Sequence, residues 1–127
     1  NPVTRVPEDT IFVTDVGDNS IKAFTVFDHF GTGLNFFFEG NLIGTIQGGS
    51  TKLKRPEGIA LGVASDALYV TNTTTNTLSM FTDLGAITGG GTFNIPPTLI
   101  MSGRATRLDF PVGVALPQFT PTPTPGG

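Results

Sequence analysis

The side chains in this sequence best suited to chemistry are the oxygen-bearing ones at a single predicted turn. Asp15, Asp18 and Asn19 lie close together, and Ca²⁺ binds six to eight oxygens, usually with several carboxylates at defined spacing. The corresponding places in a later, similar segment hold uncharged residues: Asn72, Thr75 and Asn76. The pattern therefore favours side-chain hydrogen bonds that stabilise the turn, and we expect no metal site.

The single histidine is the other candidate for chemistry. His29 follows Asp28, and an Asp–His pair is one part of a general-base arrangement. There is no second histidine and no evident activated nucleophile, whereas His-based metal catalysis usually takes two or three such ligands. We expect an ordinary loop histidine. The sequence thus predicts no catalytic residue, no cofactor and no enzymatic activity.

Three consecutive aromatic residues, Phe36, Phe37 and Phe38, follow this loop. They cannot all face one side of a strand, so at least one points outward or into a seam between elements. We favour packing in the core and a seam. The alternative is an exposed apolar patch that docks a partner or another copy of the chain.

Two basic clusters precede short apolar segments. Their members are Lys52, Lys54 and Arg55 in the first cluster and Arg104 and Arg107 in the second. A solvated turn is the favoured interpretation, and a site for a glycan or another anionic ligand is the alternative.

Three residues are candidates for glycosylation. Asn72 begins the tripeptide Asn-Thr-Thr, a formal N-glycosylation sequon. Thr122 and Thr124 lie in a Thr-Pro tail whose composition suits O-glycans.

Around these candidates, the chain contains two sequence motifs that each occur twice. Ile-Phe-Val-Thr-Asp starts at residue 11 and returns as Leu-Tyr-Val-Thr-Asn at residue 68, which is 57 positions later. The pattern Gly-x-x-Thr-(Lys/Arg)-Leu-x-x-Pro-x-Gly-(Ile/Val)-Ala-Leu starts at residue 48 and returns at residue 103, 55 positions later. Such a period indicates stacked or radial repeats, because one repeat cannot bury its own apolar face.

Each repeat predicts strands in the same order. In the first repeat these are residues 11–15, 20–27, either 35–38 or 41–47, and a short apolar strand at 58–61. In the second they are 67–72, 77–82, 98–102 and 113–116. Residues 29–33 and the Gly-rich stretch 83–97 are predicted loops. We expect almost no helix.

The residues of these strands resemble a known class of repeat. Pro56-x-Gly58-Ile59-Ala60-Leu61, followed by Leu-Tyr-Val-Thr-Asn at 68–72 and Asn-Thr-Leu at 76–78, resembles the NHL and YVTN β-propeller repeats. The first copy departs from the pattern with Phe12 and Asp15. The resemblance implies an all-β fold of two four-stranded antiparallel propeller blades over residues 1–117 (repeats about 11–61 and 68–116). Residues 118–127 are then a Thr/Pro-rich tail or linker.

The order of strands along the chain is shifted by one strand relative to the order within a blade. The first strand, at 11–15, corresponds to the second strand of a blade, and the last, at 113–116, to the first strand of a further blade. Both leave unpaired strand edges that invite pairing with another chain. The assembly strands we predict consist of Ile11, Phe12, Val13, Thr14 and Asp15 on one side and Gly113, Val114, Ala115 and Leu116 on the other. Three chains would complete six blades and four chains eight. The alternative is a piece of a longer propeller.

Composition narrows the classes of partner. The net charge of −3 includes no basic block, which argues against nucleic acid. No apolar run approaches the ~20 residues of a membrane helix, and without cysteine there is no disulfide or thiolate site. Because the sequence starts at Asn1, we expect a mature or trimmed product.

Together these features predict an extracellular or cell-surface structural module without enzymatic activity. It would associate with itself head to tail by strand exchange, into a ring or a filament. Low charge, many threonines and the Thr-Pro tail suit such a protein, as does the resemblance to YVTN-type surface proteins. The alternative is a propeller that binds a glycan, a surface polymer or a peptide.

Overall fold

The computed structural model describes residues 10–30, 36–62 and 66–117, with side chains for 10–25, 40–62 and 66–117. Its long elements are strands, which confirms the all-β prediction. The strands are β1 (Thr10–Asp15), β2 (Ser20–Phe30), β3 (Phe36–Gln47), β4 (Pro56–Gly62), β5 (Ala67–Asn72), β6 (Thr77–Phe81), β7 (Thr92–Phe93) and β8 (Leu99–Met101). One short helix, α1 (Leu84–Ile87), and 3-10 turns at Gly49–Thr51 and Arg104–Thr106 complete the described elements.

The strands form two four-stranded sheets. The first has the order β1-β2-β3-β7 and the second β4-β5-β6-β8. All neighbours pair antiparallel except β3 and β7, which are parallel. Within the described residues both sheets are open, so β1 is an edge strand of the first and β4 an edge strand of the second.

The hairpins follow the alternation of the sequence and its turn residues. In β1, Ile11 and Val13 project to one side of the strand and Phe12 to the other. The turn from β1 to β2 ends at Asn19, whose φ of 54° is tolerated by asparagine. Asn76 ends the turn from β5 to β6 with a φ of 56°. The two hairpins therefore repeat one geometry.

The hydrophobic core joins the two sheets. It contains Ile21 and Ile46 from the first sheet, and Leu68, Val70 and Phe81 from the second. Leu53, Leu84 and Ile87 fill the space between strands. Neither sheet buries its apolar side chains alone, as the repeat architecture predicts.

Several predicted boundaries in the first sheet are wrong. β2 runs through His29 to Phe30, and one long β3 replaces the two alternatives at 35–38 and 41–47. The predicted loop at 29–33 is therefore strand at its start, because β2 and β3 continue to pair out to Phe30 and Phe36. A register shift between Ala23 and Phe24 accommodates this long pairing.

The stretch 83–97 is also more ordered than a loop. It contains α1 and β7, with Leu84 and Ile87 buried. The Ile87 carbonyl oxygen approaches Gly44 so closely that a side chain at position 44 would collide with it. Gly44 therefore lets α1 lie against β3.

The predicted strand at 113–116 forms no ladder with any described strand. By contrast, the predicted short strand at 58–61 is part of the slightly longer β4. These two segments have closely similar sequences, Gly-Ile-Ala-Leu and Gly-Val-Ala-Leu. They differ because β4 lies beside β5, whereas the described part of the chain offers the later segment no such strand.

Candidate assembly site

Two connections with the same sequence pattern lead to these segments. We call residues 48–55 the first junction and residues 103–110 the second junction. In the first, the Thr51 hydroxyl donates to the Gly48 carbonyl at 2.6 Å and accepts from the Leu53 N–H at 3.2 Å. In the second, Thr106 makes the corresponding bonds to Gly103 and Leu108 at 2.8 and 3.1 Å.

The positive backbone angles of the junctions also match. The basic residue after the threonine has a φ of 63° at Lys52 and 59° at Arg107. The residue before the proline has a φ of 51° at Arg55 and 58° at Phe110. The repeated motif is therefore a repeated piece of structure.

Each junction is held by an asparagine of the preceding hairpin turn. The Asn19 side-chain oxygen accepts the Arg55 N–H at 2.8 Å, and that of Asn76 accepts the Phe110 N–H at 2.7 Å. We predicted a turn-stabilising role for Asn19 and Asn76. The structure adds that the groups they bind lie 36 and 34 positions further along the chain.

The first junction is also held on its far side, by the second sheet. The Lys54 N–H donates to the Asn72 side-chain oxygen at 3.1 Å, and the Thr73 N–H donates to the Arg55 carbonyl at 3.1 Å. Just beyond the junction, the Gly58 N–H donates to the Thr71 hydroxyl at 2.8 Å. This junction thus bridges the two sheets.

The second junction lacks these far-side contacts within residues 10–30, 36–62 and 66–117. Its groups equivalent to those just described are the Asp109 N–H, the Phe110 carbonyl and the Gly113 N–H. None of them bonds to a second sheet in the described part of the chain. In the first junction, the equivalent groups bond to Asn72, Thr73 and Thr71 of the second sheet. The residues of the first sheet that correspond to these three are Asp15, Val16 and Thr14.

The strands β1 and β5 also differ in the exposure of their equivalent side chains. Val70 and Leu68 in β5 are 0% and 1% exposed, whereas their counterparts Val13 and Ile11 in β1 are 43% and 49% exposed. β4 covers the edge of β5, with Ile59 opposite Val70 and Leu61 opposite Leu68. Among the described residues, β1 pairs with β2 alone.

A polar cluster lies at the end of each of these strands. In the second sheet the buried Asn72 donates from its amide nitrogen to the Ser79 and Thr77 hydroxyls at 2.9 and 3.2 Å. This amide is the one that N-glycosylation of the predicted sequon would use. It is fully enclosed in the folded sheet.

The first sheet has a charged version of this cluster. The Lys22 ammonium donates to Asp15 at 2.8 Å, to Asp18 at 2.9 Å and to the Ser20 hydroxyl at 2.9 Å. Hydrogen bonds from Ser20 and then Lys22 lower the pKa of Asp18. Hydrogen bonds to Asp15 and then Asp18 raise the pKa of Lys22. The Asp18 carboxylate and the Lys22 ammonium are therefore both ionised at neutral pH.

The cluster does not resemble a calcium site. An ammonium group already occupies the space between the Asp15 and Asp18 carboxylates. Within the described residues there is no group of three or more histidine, cysteine, aspartate or glutamate side chains placed to hold a metal ion.

The basic residues of the two junctions have different surroundings. Arg55 forms an ion pair with Glu57, and its guanidinium lies 5.2 Å from the centre of the Phe110 ring. Lys52 and Lys54 line a cleft of about 540 Å³ between the two sheets, together with Asp18, Thr75 and Thr77. Arg104 and Arg107 line a more open surface beside Asp109.

The remaining predicted sites have the following places. His29, predicted as a loop residue, lies with Asp28 in β2. Phe36, Phe37 and Phe38 lie at the start of β3. Thr122 and Thr124 lie outside the described residues, as does the tail at 118–127. None of the helices in the described ranges is long and apolar enough to cross a membrane.

Comparisons of the chain with protein-family models, curated proteins and solved structures gave no match.

Proposed function

We propose that this chain is a structural module of the β-propeller type that assembles head to tail by strand exchange. Residues 111–116, which we call the terminal segment, would complete the first sheet of the next copy. The observation that carries the proposal is the exposure of Val13 and Ile11 beside the burial of their counterparts Val70 and Leu68. β5 has β4 on its edge and the first sheet against its Leu68 and Val70 face. In the described chain β1 lacks both, and in a head-to-tail assembly the preceding copy would supply the edge strand and the facing sheet together.

The chain itself contains the segment that fits this edge. β4 covers β5 in a defined register, with Pro56 opposite Asn72, Ile59 opposite Val70 and Leu61 opposite Leu68. The terminal segment repeats the sequence of β4. The same register would place Pro111 opposite Asp15, Val114 opposite Val13 and Leu116 opposite Ile11. Backbone hydrogen bonds would supply affinity, and the alternating side chains would fix the register.

A hydroxyl and two glycines suit this arrangement. Thr14 donates to the Glu57 carbonyl at 3.1 Å, and its lone pairs can accept the Gly113 N–H of another copy, as Thr71 accepts the Gly58 N–H. A Cβ on Gly58 would lie 2.7 Å from both the Gly113 Cα and the Val112 carbonyl oxygen, so β4 and the terminal segment approach closely there. A Cβ on Gly113 has no atom within 4 Å, which leaves room for β4 of the copy that receives the terminal segment.

The contact is heterologous, since β1 of one copy meets the terminal segment of another. Such contacts close into a ring when the rotation allows it and otherwise form a filament. Three copies would supply six blades and four copies eight. Low charge and threonine-rich turns suit an extracellular or surface location, and the resemblance to NHL and YVTN repeats supports the blade architecture.

Light scattering over a range of protein concentrations tests the proposal. We expect a mass that is a multiple of the 13.3 kDa chain, and ordered rings or filaments in electron micrographs. A species that keeps the mass of one chain up to millimolar concentration would contradict strand exchange and would favour completion of β1 by further blades of a longer polypeptide.

A further inference from the structure

The second junction and the β1–β2 turn carry opposite charges at positions that the repeat places across from each other. Resting on the proposed assembly, we infer that Arg107 of one copy pairs with Asp18 of the next, with Arg104 beside it. The second junction would then form ion pairs with the next copy. The first junction, at the equivalent place within the chain, meets neutral side chains of the following hairpin.

The placement follows from the first junction. There Lys52 shares a cleft with Thr75 and Thr77 of the following hairpin, and with Asp18 of the preceding one. In the repeat, Lys52 corresponds to Arg107 and Thr75 corresponds to Asp18. When the terminal segment covers β1 of another copy, Arg107 faces the Asp18 of that copy.

The charges differ systematically between the two junctions. Within the chain, the following hairpin presents neutral groups, Asn72 and Thr75, to the first junction. Between copies it would present Asp15 and Asp18 to a junction that contains Arg104 and Arg107.

The full set of charged groups at the contact between copies balances. The next copy brings the carboxylates of Asp15 and Asp18 and the ammonium of Lys22, which already bridges them. The second junction brings Arg104, Arg107 and Asp109, which line one open surface. Three cations would then meet three carboxylates. Before assembly, the Asp15–Asp18–Lys22 cluster carries one excess negative charge and the second junction one excess positive charge.

The Asp15 carboxylate has a further partner in this arrangement. Its counterpart Asn72 accepts the Lys54 N–H, so Asp15 would accept the Asp109 N–H. A charged acceptor makes a stronger hydrogen bond than an amide does. The side chain of Asp15 is 44% exposed in the single chain, which leaves it accessible for that bond.

Charge reversal tests the inference. Aspartate tolerates the φ of 59° at position 107, so Arg107→Asp keeps the backbone of the junction. Arg107→Asp and Asp18→Arg should each raise the concentration needed for assembly about tenfold or more, as measured by light scattering. An equimolar mixture of the two variants should recover assembly. Alternating copies join opposite charges at every contact of a filament or a four-copy ring, and at two of the three contacts of a three-copy ring. Lys52→Asp, at the equivalent position within the chain, is the matched control. It changes the cleft that Lys52 shares with Asp18 but leaves Arg107 in place, so it should weaken assembly much less than Arg107→Asp does.

Salt gives a second measurement that needs no substitution. Raising ionic strength from 0.15 M to 1 M shortens the screening length from about 8 Å to about 3 Å, and assembly of the unmodified chain should weaken. Asp18→Asn should reduce that salt dependence. It also serves if Asp18→Arg fails to fold, as judged by circular dichroism.

The outcomes separate the two proposals. If the unmodified chain assembles but Arg107→Asp assembles equally well, or the mixture recovers nothing, the charge pairing is wrong while strand exchange stands. If the unmodified chain keeps the mass of a single chain, strand exchange fails and the pairing fails with it.

Discussion

The two sheets contain the same hairpin under different conditions. In the second sheet, β5 has a neighbour on each side, and its residues Leu68, Val70 and Asn72 are buried. In the first sheet, β1 has almost the same sequence, yet Ile11 and Val13 remain exposed. The difference lies in the neighbours of the two strands. β5 has β4 on its edge and packs Leu68 and Val70 against the first sheet, whereas Ile11 and Val13 lie on the face of β1 opposite Phe12, which no described element covers. A sequence that alternates in the way a buried strand does can therefore mark a binding edge as well as a core.

The largest expected effect comes from truncating the matched valines. Val70→Ala should destabilise the chain by about 2.5 kcal/mol, because it removes two buried methyl groups and leaves a cavity. Val13→Ala should cost below about 0.5 kcal/mol in dilute solution, where the site is exposed, and should weaken assembly. Urea denaturation at low protein concentration measures the two stability costs, and light scattering measures the effect on assembly. Equal costs would mean that β1 is already covered.

The paired glycines give the next effect. Gly58→Ala should cost about 2 kcal/mol, since its Cβ would lie 2.7 Å from backbone atoms of the terminal segment. Gly113→Ala should leave the thermal midpoint of dilute protein unchanged, because its Cβ meets no atom within 4 Å. We expect that variant to assemble poorly, because the added methyl group would collide with β4 of the copy that receives the terminal segment. A Gly113→Ala chain that assembles normally would argue against the proposed path of the strand.

The two turn asparagines offer a smaller comparison. Glycine retains the positive φ, so Asn19→Gly and Asn76→Gly remove only the side-chain hydrogen bond. Asn19→Gly should cost about 1 kcal/mol, because the first junction links both sheets. Asn76→Gly should cost about 0.5 kcal/mol in dilute solution, because the junction it holds has no far-side contact in the described chain. Chemical denaturation of the two variants side by side provides the measurement, and the reverse order would contradict this account of the junctions.

The smallest effect concerns pH. Asp18 has a lowered pKa in the folded chain, so its ionised form contributes stability that is present above the ordinary aspartate pKa and is lost as pH falls through the lowered value. The difference in thermal midpoint between the unmodified chain and Asp18→Asn should be constant near neutral pH and shrink below about pH 4. The neutral counterpart Thr75 supplies the control, since Thr75→Asn should show no such change. A difference that persisted at pH 2 would rule out this linkage.

Much of the fold could be predicted from the sequence, because alternation and turn residues are local signals. Seven of the eight described strands, or parts of them, follow from these signals, as do the turns that end at Asn19 and Asn76. Neither the length of β2 nor the pairing of β3 with β7 could be predicted from local signals. The first depends on pairing with β3 out to Phe30 and Phe36, and the second on a long-range parallel pairing beside the close approach of α1 to Gly44. The long-range role of Asn19 and Asn76 had a signal in the sequence. Each asparagine recurs at the same place in both repeats, together with the junction that it binds.

Cross-linking in a defined register tests strand exchange most directly. The chain has no cysteine, so Val13→Cys and Val114→Cys can be made in separate copies and mixed under mild oxidation. Directly opposite positions in an antiparallel pair have Cβ atoms about 5 Å apart. We predict a disulfide-linked dimer in the mixture. It should be much weaker when Ala115→Cys replaces Val114→Cys, because Ala115 is exposed and successive side chains of a strand project to opposite faces. Equal yields for the two positions, or no dimer with either, would contradict the proposed pairing.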